Sequence, residues 1–262
     1  WGIKDEAKVK STIEESVGKS QDSQTIEELN ALLRGMYKND TLVGISLKKV
    51  SGKEARWEEF NLDKITVEEL DEYRYPNITM QIQLGKNMAT DSIVWCKQGS
   101  GNGYKFQIRQ NSKGASNLKF ESTKIGATAA RGGKAQVDMV VRLLNDKVTN
   151  NTFTNNHNNY PKNKNQFLNE KKPFVLDTWE SMFEDVNKVA DTGISTKKDF
   201  VNNISKLFDE DADVANSKLM QLTFLYNATK ITPKKDEENF WTDMVFLSIK
   251  KGDKYGPFGK LY

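Results

Sequence analysis

The sequence predicts an α+β (or α/β) chain, with a central mixed sheet, flanking helices and a helical C-terminal half. Three observations carry that prediction. Apolar residues recur at helical spacing up to residue 39. The period then shortens to two across residues 41–121. Helical spacing returns from Val137 onward.

Residues 3–39 read as helical. Ile13 and Val17 precede a polar break from Ser16 to Ser23; Ile26, Leu29, Leu32, Leu33 and Met36 then fall on one face. Thr25 followed by Glu28 reads as a capping box. Asn39-Asp40 closes the helix in a turn. In Thr41–Val50, Val43, Ile45 and Leu47 take one face of a strand and Leu42, Gly44, Ser46, Lys48 and Val50 the other. Further strands are expected at Ile78–Leu84, Ser92–Lys97, Tyr104–Arg109 and Asn117–Glu121, with Gly99–Gly103 as a hairpin connection. Thr41–Val50 is expected at the centre of the sheet, between the strands near 78–84 and 104–109. The helix of residues 25–38 is expected on one face.

Eight of residues 149–166 are Asn, which predicts a loop or flexible excursion. Helices are expected at 175–191, 197–208, 212–230 and 236–250. The tail contains Gly256-Pro257-Phe258-Gly259, which cannot continue a helix. The expected organisation is therefore a core at 1–148, an Asn-rich loop at 149–172 and a helical part at 173–262.

Composition removes several function classes. An apolar content of 37%, with 17 glycines besides, is enough for a core. The single Cys96 excludes an internal disulfide framework and a cysteine zinc cluster. The single His157 excludes a histidine-pair metal site, and its Asn-rich setting argues against catalysis. A metal here would need oxygen ligands, hence Mg²⁺-, Mn²⁺- or Ca²⁺-type chemistry. No apolar run reaches the roughly 20 residues of a membrane span, so no membrane partner is expected. The chain opens on Trp1 rather than Met, which reads as a fragment or processed product, with the cytoplasm as the expected location. A net charge of +3 is only a mild basic bias.

The candidate chemistry lies on the strands. Ser46 and Lys48 point the same way from one strand, as a polar acceptor and an ammonium do in phosphodiester nucleases. The simpler reading makes Lys48 and Lys49 a solvated strand end. Gln107 and Arg109 share a face, and Glu121 follows. The run Ala127–Gln136 places Arg131 and Lys134 around Gly132-Gly133, where a helix start would offer backbone N–H groups and a cation to a phosphate. That run reads equally as a loop whose glycines turn the chain. Trp57, Trp95, Trp179 and Trp241 read as core anchors before base-stacking platforms. The lysines at 162, 164, 171 and 172, and those at 250, 251, 254 and 260, make two locally basic stretches.

The order LNALLRGMY, GISLKKV, FQIRQ, a Glu, AARGGKA and GPFGKLY resembles a group of uncharacterised bacteriophage proteins of the PD-(D/E)XK nuclease-like type. The resemblance runs through the whole chain on short motifs. It implies a phage-encoded, Mg²⁺- or Mn²⁺-dependent DNA endonuclease in the host cell cytoplasm. Trp1-Gly2-Ile3 then matches the end of a first strand whose metal-binding Asp would precede Trp1. Ser46 takes the usual acidic position and Lys48 that of the motif lysine. With serine there, Glu121 or Glu28 would supply the charge, Glu121 as metal ligand. Lys48, Ser46 and Glu121 are thus the expected catalytic set. Lys49, Gln107, Arg109, Arg131 and Lys134 are the expected phosphate contacts. The competing expectation is a non-catalytic phage protein that binds nucleic acid or serves as a virion or interaction component on the same fold.

Overall fold

A computed structural model describes residues 2–17, 23–47, 54–60, 74–85, 91–99, 102–112, 115–126, 133–253 and 257–261. The chain divides into two compact units, Trp1–Glu68 with Asp253–Tyr262, and Glu69–Gly252. This differs from the expected division at residues 148 and 172. The tail belongs with the N-terminal unit because it supplies that unit with a strand, and the Asn-rich segment lies inside the second unit. The α+β class holds in full, with parallel and antiparallel pairings and a helical C-terminal half.

In the first unit, β1 (Gly2–Ile3), α1 (Glu6–Val17), α2 (Ser23–Lys38), β2 (Leu42–Leu47) and β3 (Trp57–Phe60) are joined by β10 (Phe258–Leu261). The sheet order is β1-β2-β10-β3, with β2 and β10 parallel and the other pairs antiparallel. Asp5 starts α1 by accepting a hydrogen bond from the Lys8 backbone N–H at 3.0 Å. The alternation in β2 lets Leu42 join Val9 and Met36 in a buried cluster, with Ile13, Leu32 and Leu33 packed around it. Phe60 and Phe258 stack across β3 and β10 with centroids 5.2 Å apart. A Cβ on Gly259 would overlap the indole of Trp57, so the ring lies directly over that glycine.

The strand expected at 41–50 is described over Leu42–Leu47, but its neighbours are not the expected ones. Its partners are β1 and β10, and no strand of the 78–109 region pairs with it among the described residues. The reason is the tail. Phe258–Leu261 is just long enough to add a parallel strand beside β2.

The second unit holds a six-stranded sheet of order β8-β7-β6-β5-β4-β9. These strands are β4 (Asn77–Ile82), β5 (Ser92–Gln98), β6 (Asn102–Ser112), β7 (Ala115–Lys124), β8 (Gly133–Ala135) and β9 (Ala190–Asp191). All pairings are antiparallel except that of β4 with β9. The hairpin between β5 and β6 forms where the glycines predict it. Gly103 takes φ 151° there, and a Cβ on it would overlap the Cys96 carbonyl oxygen. One sheet face is apolar: Met80, Val94 and Phe106 form a register row, as do Ile82, Ser92, Ile108 and Phe120. All seven are buried.

Helices α3 (Val137–Lys147), α4 (Lys164–Asn169), α5 (Leu176–Asn187), α6 (Lys197–Glu210), α7 (Ala212–Thr229) and α8 (Lys234–Asp253) complete the chain. Thr196 and Asp211 cap α6 and α7 by accepting from the Asp199 and Val214 backbone N–H groups. α7 is buried on every side and packs Phe224 against Phe120 and Phe153, at 4.8 and 5.3 Å between ring centroids. Burying each such ring contributes roughly 1.5–3 kcal/mol.

The Asn-rich segment is not a loose excursion. Asn155 accepts from the Leu118 backbone N–H at 2.7 Å and donates to its carbonyl at 3.1 Å, extending the ladder of β7 with a side chain. Asn117 accepts from the His157 backbone N–H at 3.1 Å, and Asn216 donates to the carbonyls of His157 and Pro161 at 3.1 and 2.8 Å. Phe153 and Tyr160 are buried. Asparagine amides both donate and accept, so they serve as the second strand that this backbone lacks.

Candidate functional site

The face of the six-stranded sheet opposite the apolar core is polar, and the register arranges it in rows. One row crosses every strand: Asp191, Gln81, Ile93, Gln107, Glu121 and Lys134. The next row holds Thr79, Trp95, Lys105 and Thr123. Lys97 and the pair Arg109–Lys119 lie on the same face, because each is an even number of residues from a row member on its strand.

Within this face Arg109 reaches diagonally across to Glu121. Its Nε donates to Oε2 at 2.8 Å and its Nη2 donates to the same oxygen. Lys134, directly opposite Glu121 on β8, brings Nζ to 3.6 Å from Oε1. The Glu121 side chain is fully buried, while that of Lys134 is 63% exposed. At the β4 edge Gln81 donates to Asp191 Oδ2 at 3.0 Å.

No family model, curated protein or solved structure matches this chain.

The expected site residues fall in both units. Gln107, Arg109, Glu121 and Lys134 share one sheet face. Ser46 sits on β2 in the sheet of the other unit, half-buried, and its strand pairs with neither β6 nor β7. Lys48, Lys49 and Arg131 lie outside the described residues, as does the side chain of Glu28. Lys134 is on a strand, not at a helix start: Gly133–Ala135 pairs with β7 before α3 begins at Val137. The expected backbone cradle at a helix N-terminus is accordingly not what presents this lysine. Its cation reaches the sheet face through strand register.

Glu121 does not fit a divalent cation as it stands. Two cationic side chains already flank its two oxygens. Among the described residues no group of three or more His, Cys, Asp or Glu side chains is placed to hold a metal ion. A hard cation needs several oxygen ligands, and a carboxylate bound to guanidinium offers it little.

Of the four tryptophans read as core anchors, Trp179 and Trp241 are fully buried. Trp57 is 45% exposed, and Trp95 is half-buried on the polar face. The sequence reading also passed over Lys218. This residue is fully buried in α7, and among the described residues its Nζ has no hydrogen-bond partner. Beside it Ser92 donates to Gln221 Oε1 at 2.5 Å, and Gln221 donates to Ser217 Oγ at 3.1 Å. Burial pushes the Lys218 ammonium down to about 8 from 10.5, and Asp91 opposes that only in part. The signal was present in the sequence: between Val214 and Thr229 Lys218 is the one charged residue of a helix with no polar stripe. Cys96 is buried and its thiol is pushed up by desolvation, which keeps it protonated and unreactive.

The described face can attract an anion and stack a flat group. Lys97, Lys105, Arg109, Lys119 and Lys134 stand against Glu121 and Asp191 on it. Neither Lys97 nor Lys105 enters an ion pair among the described residues. No helix among the described residues is long and apolar enough to cross a membrane.

Proposed function

We propose that this chain binds nucleic acid through the polar face of its six-stranded sheet and does not cut it. The observation that carries this reading is the charge on that face, five cationic side chains against two carboxylates, one of them buried and neutralised. Cations spread over an open sheet surface neutralise phosphates and release counterions, which supplies sequence-independent affinity. The nuclease reading needed Ser46, Glu121 and a lysine around one metal. Glu121 is held by Arg109 and flanked by Lys134, which favours binding over cutting. A phage origin rests on the short motifs alone.

The test uses the full chain with a fluorescein-labelled oligonucleotide across a salt series. Affinity should fall linearly with log salt, and replacing Lys105 and Lys119 with Ala should reduce the slope by about one for each lysine. Supercoiled plasmid incubated with Mg²⁺ or Mn²⁺ should stay intact. EDTA-sensitive nicking that Lys48→Ala abolishes would restore the endonuclease reading. Absence of salt-sensitive binding would defeat the binding one.

A further inference from the structure

The polar face carries one large aromatic ring, and its surroundings are specific. Trp95 on β5 stands directly opposite Lys105 on β6 and Thr79 on β4, with Lys97 two residues along its own strand on the same side. Ile93 lies two residues back, flanked in register by Gln81 and Gln107. The ring is half-buried, whereas Trp179 and Trp241 are fully enclosed. No ring contact involves Trp95 among the described residues. A core anchor is expected on the apolar face of the sheet. This indole lies on the other one.

Resting on the nucleic-acid reading above, we propose that the ligand is single-stranded, and that Trp95 is the platform on which one of its bases stacks. The geometry discriminates between strand forms in two ways. A duplex buries its base faces and is entered through its grooves by a helix or a two-stranded ribbon. A broad sheet face that leaves the duplex undeformed meets its phosphates. A single strand can splay its bases flat against an aromatic ring while its phosphates reach cations on either side. Lys97 and Lys105 sit beside Trp95 for that purpose. Gln81 and Gln107, one row away, offer amide donors and acceptors within reach of a base edge. Stacking is tolerant of sequence, so the expected preference is for strandedness more than for a motif.

The experiment compares a single-stranded 20-mer with its duplex on the full chain, by fluorescence anisotropy at two salt concentrations. Wild type, Trp95→Ala and Trp95→Phe are measured, with circular dichroism to verify that each is folded. The single strand should bind at least tenfold more tightly than the duplex. Trp95→Ala should weaken single-strand binding by about 5- to 150-fold, the range for losing one stacked base. It should leave duplex binding unchanged, and Trp95→Phe should restore most of the loss because phenylalanine also presents a π-face. Equal affinity for both forms, or a folded Trp95→Ala that binds the single strand like wild type, would overturn this inference while leaving general nucleic-acid binding standing. Failure of both oligonucleotides to bind would overturn both readings.

Discussion

Arg109 and Glu121 meet diagonally across adjacent strands, with Nε of the arginine 2.8 Å from Oε2 of a carboxylate that is completely buried. This pair turns the candidate metal ligand into a structural ion. A carboxylate taken out of water is tolerated only while a cation and hydrogen bonds compensate it.

Arg109→Ala removes that compensation and leaves Glu121 beside the largely exposed Lys134. Breaking a buried pair from one side costs about 3–5 kcal/mol. The double replacement Arg109→Met with Glu121→Met removes both charges and should recover most of the loss. Urea denaturation followed by circular dichroism measures both. A single variant as stable as wild type would show that Glu121 is not held as described.

Lys218 predicts an unusual pH dependence. Its folded-state value of about 8 lies below the ordinary 10.5, so the unfolded chain holds the proton more tightly. Below about pH 8 both states are protonated and the full penalty, about 3 kcal/mol, is present. As pH rises from 8 towards 10.5 the folded state releases the proton first, and stability should increase. Lys218→Met should be more stable than wild type at pH 7, and the difference should shrink by pH 10. Thermal unfolding of the two proteins at matched pH separates this from other titrations. A difference constant with pH would remove the buried ammonium as its source.

Asn155 supplies both hydrogen bonds to the backbone of Leu118, at 2.7 and 3.1 Å. Among the described residues β8 pairs only with Phe120–Ser122, so at Leu118 the side chain continues the ladder. Asn155→Ala leaves a buried backbone donor unsatisfied and should cost about 1–3 kcal/mol. Amide hydrogen exchange at Leu118 should accelerate well before global unfolding. Unchanged protection there would mean that another group satisfies this backbone.

The longer elements were legible because period alone reveals them, whereas β1, β3, β8, β9 and β10 are too short to show one. The alternation of Ile78, Met80 and Ile82 and the helical spacing of Leu32, Leu33 and Met36 place their elements within a few residues of where they lie. Strand pairing was not legible. Nothing local in Val43, Ile45 and Leu47 says whether β6 or the distant Phe258–Leu261 will lie beside them, because register is settled by what both strands bury. That the Asn-rich loop is ordered was not legible for a related reason. Its order comes from amide bonds to Leu118 and Thr152, which composition cannot show. On the candidate face Gln107 and Arg109 share a side as their parity required, while strand pairing, which parity does not show, brought Glu121 and Lys134 to them. The role of Glu121 changed because the spacing of Arg109 and Glu121 becomes a contact only through the hairpin between them.

Gly259 and Trp57 allow a sharp test of the first unit. The indole crosses β10 over the one residue without a side chain, and Trp57 is fixed further by donating through Nε1 to Glu59 Oε1 at 3.5 Å. Tyr37 donates to the same oxygen at 3.2 Å, so the ring is tied to α2 through Glu59. Gly259→Ala puts a methyl group where the ring lies. The ring must lift, and overpacking of this kind costs about 1–3 kcal/mol. Trp57→Ala alone should cost less, since the ring is 45% exposed. In the double variant the methyl group has room, so the combined loss should be smaller than the sum of the two. A double-mutant cycle by thermal unfolding, with tryptophan emission as a second readout, checks this. Strict additivity would place the ring away from Gly259.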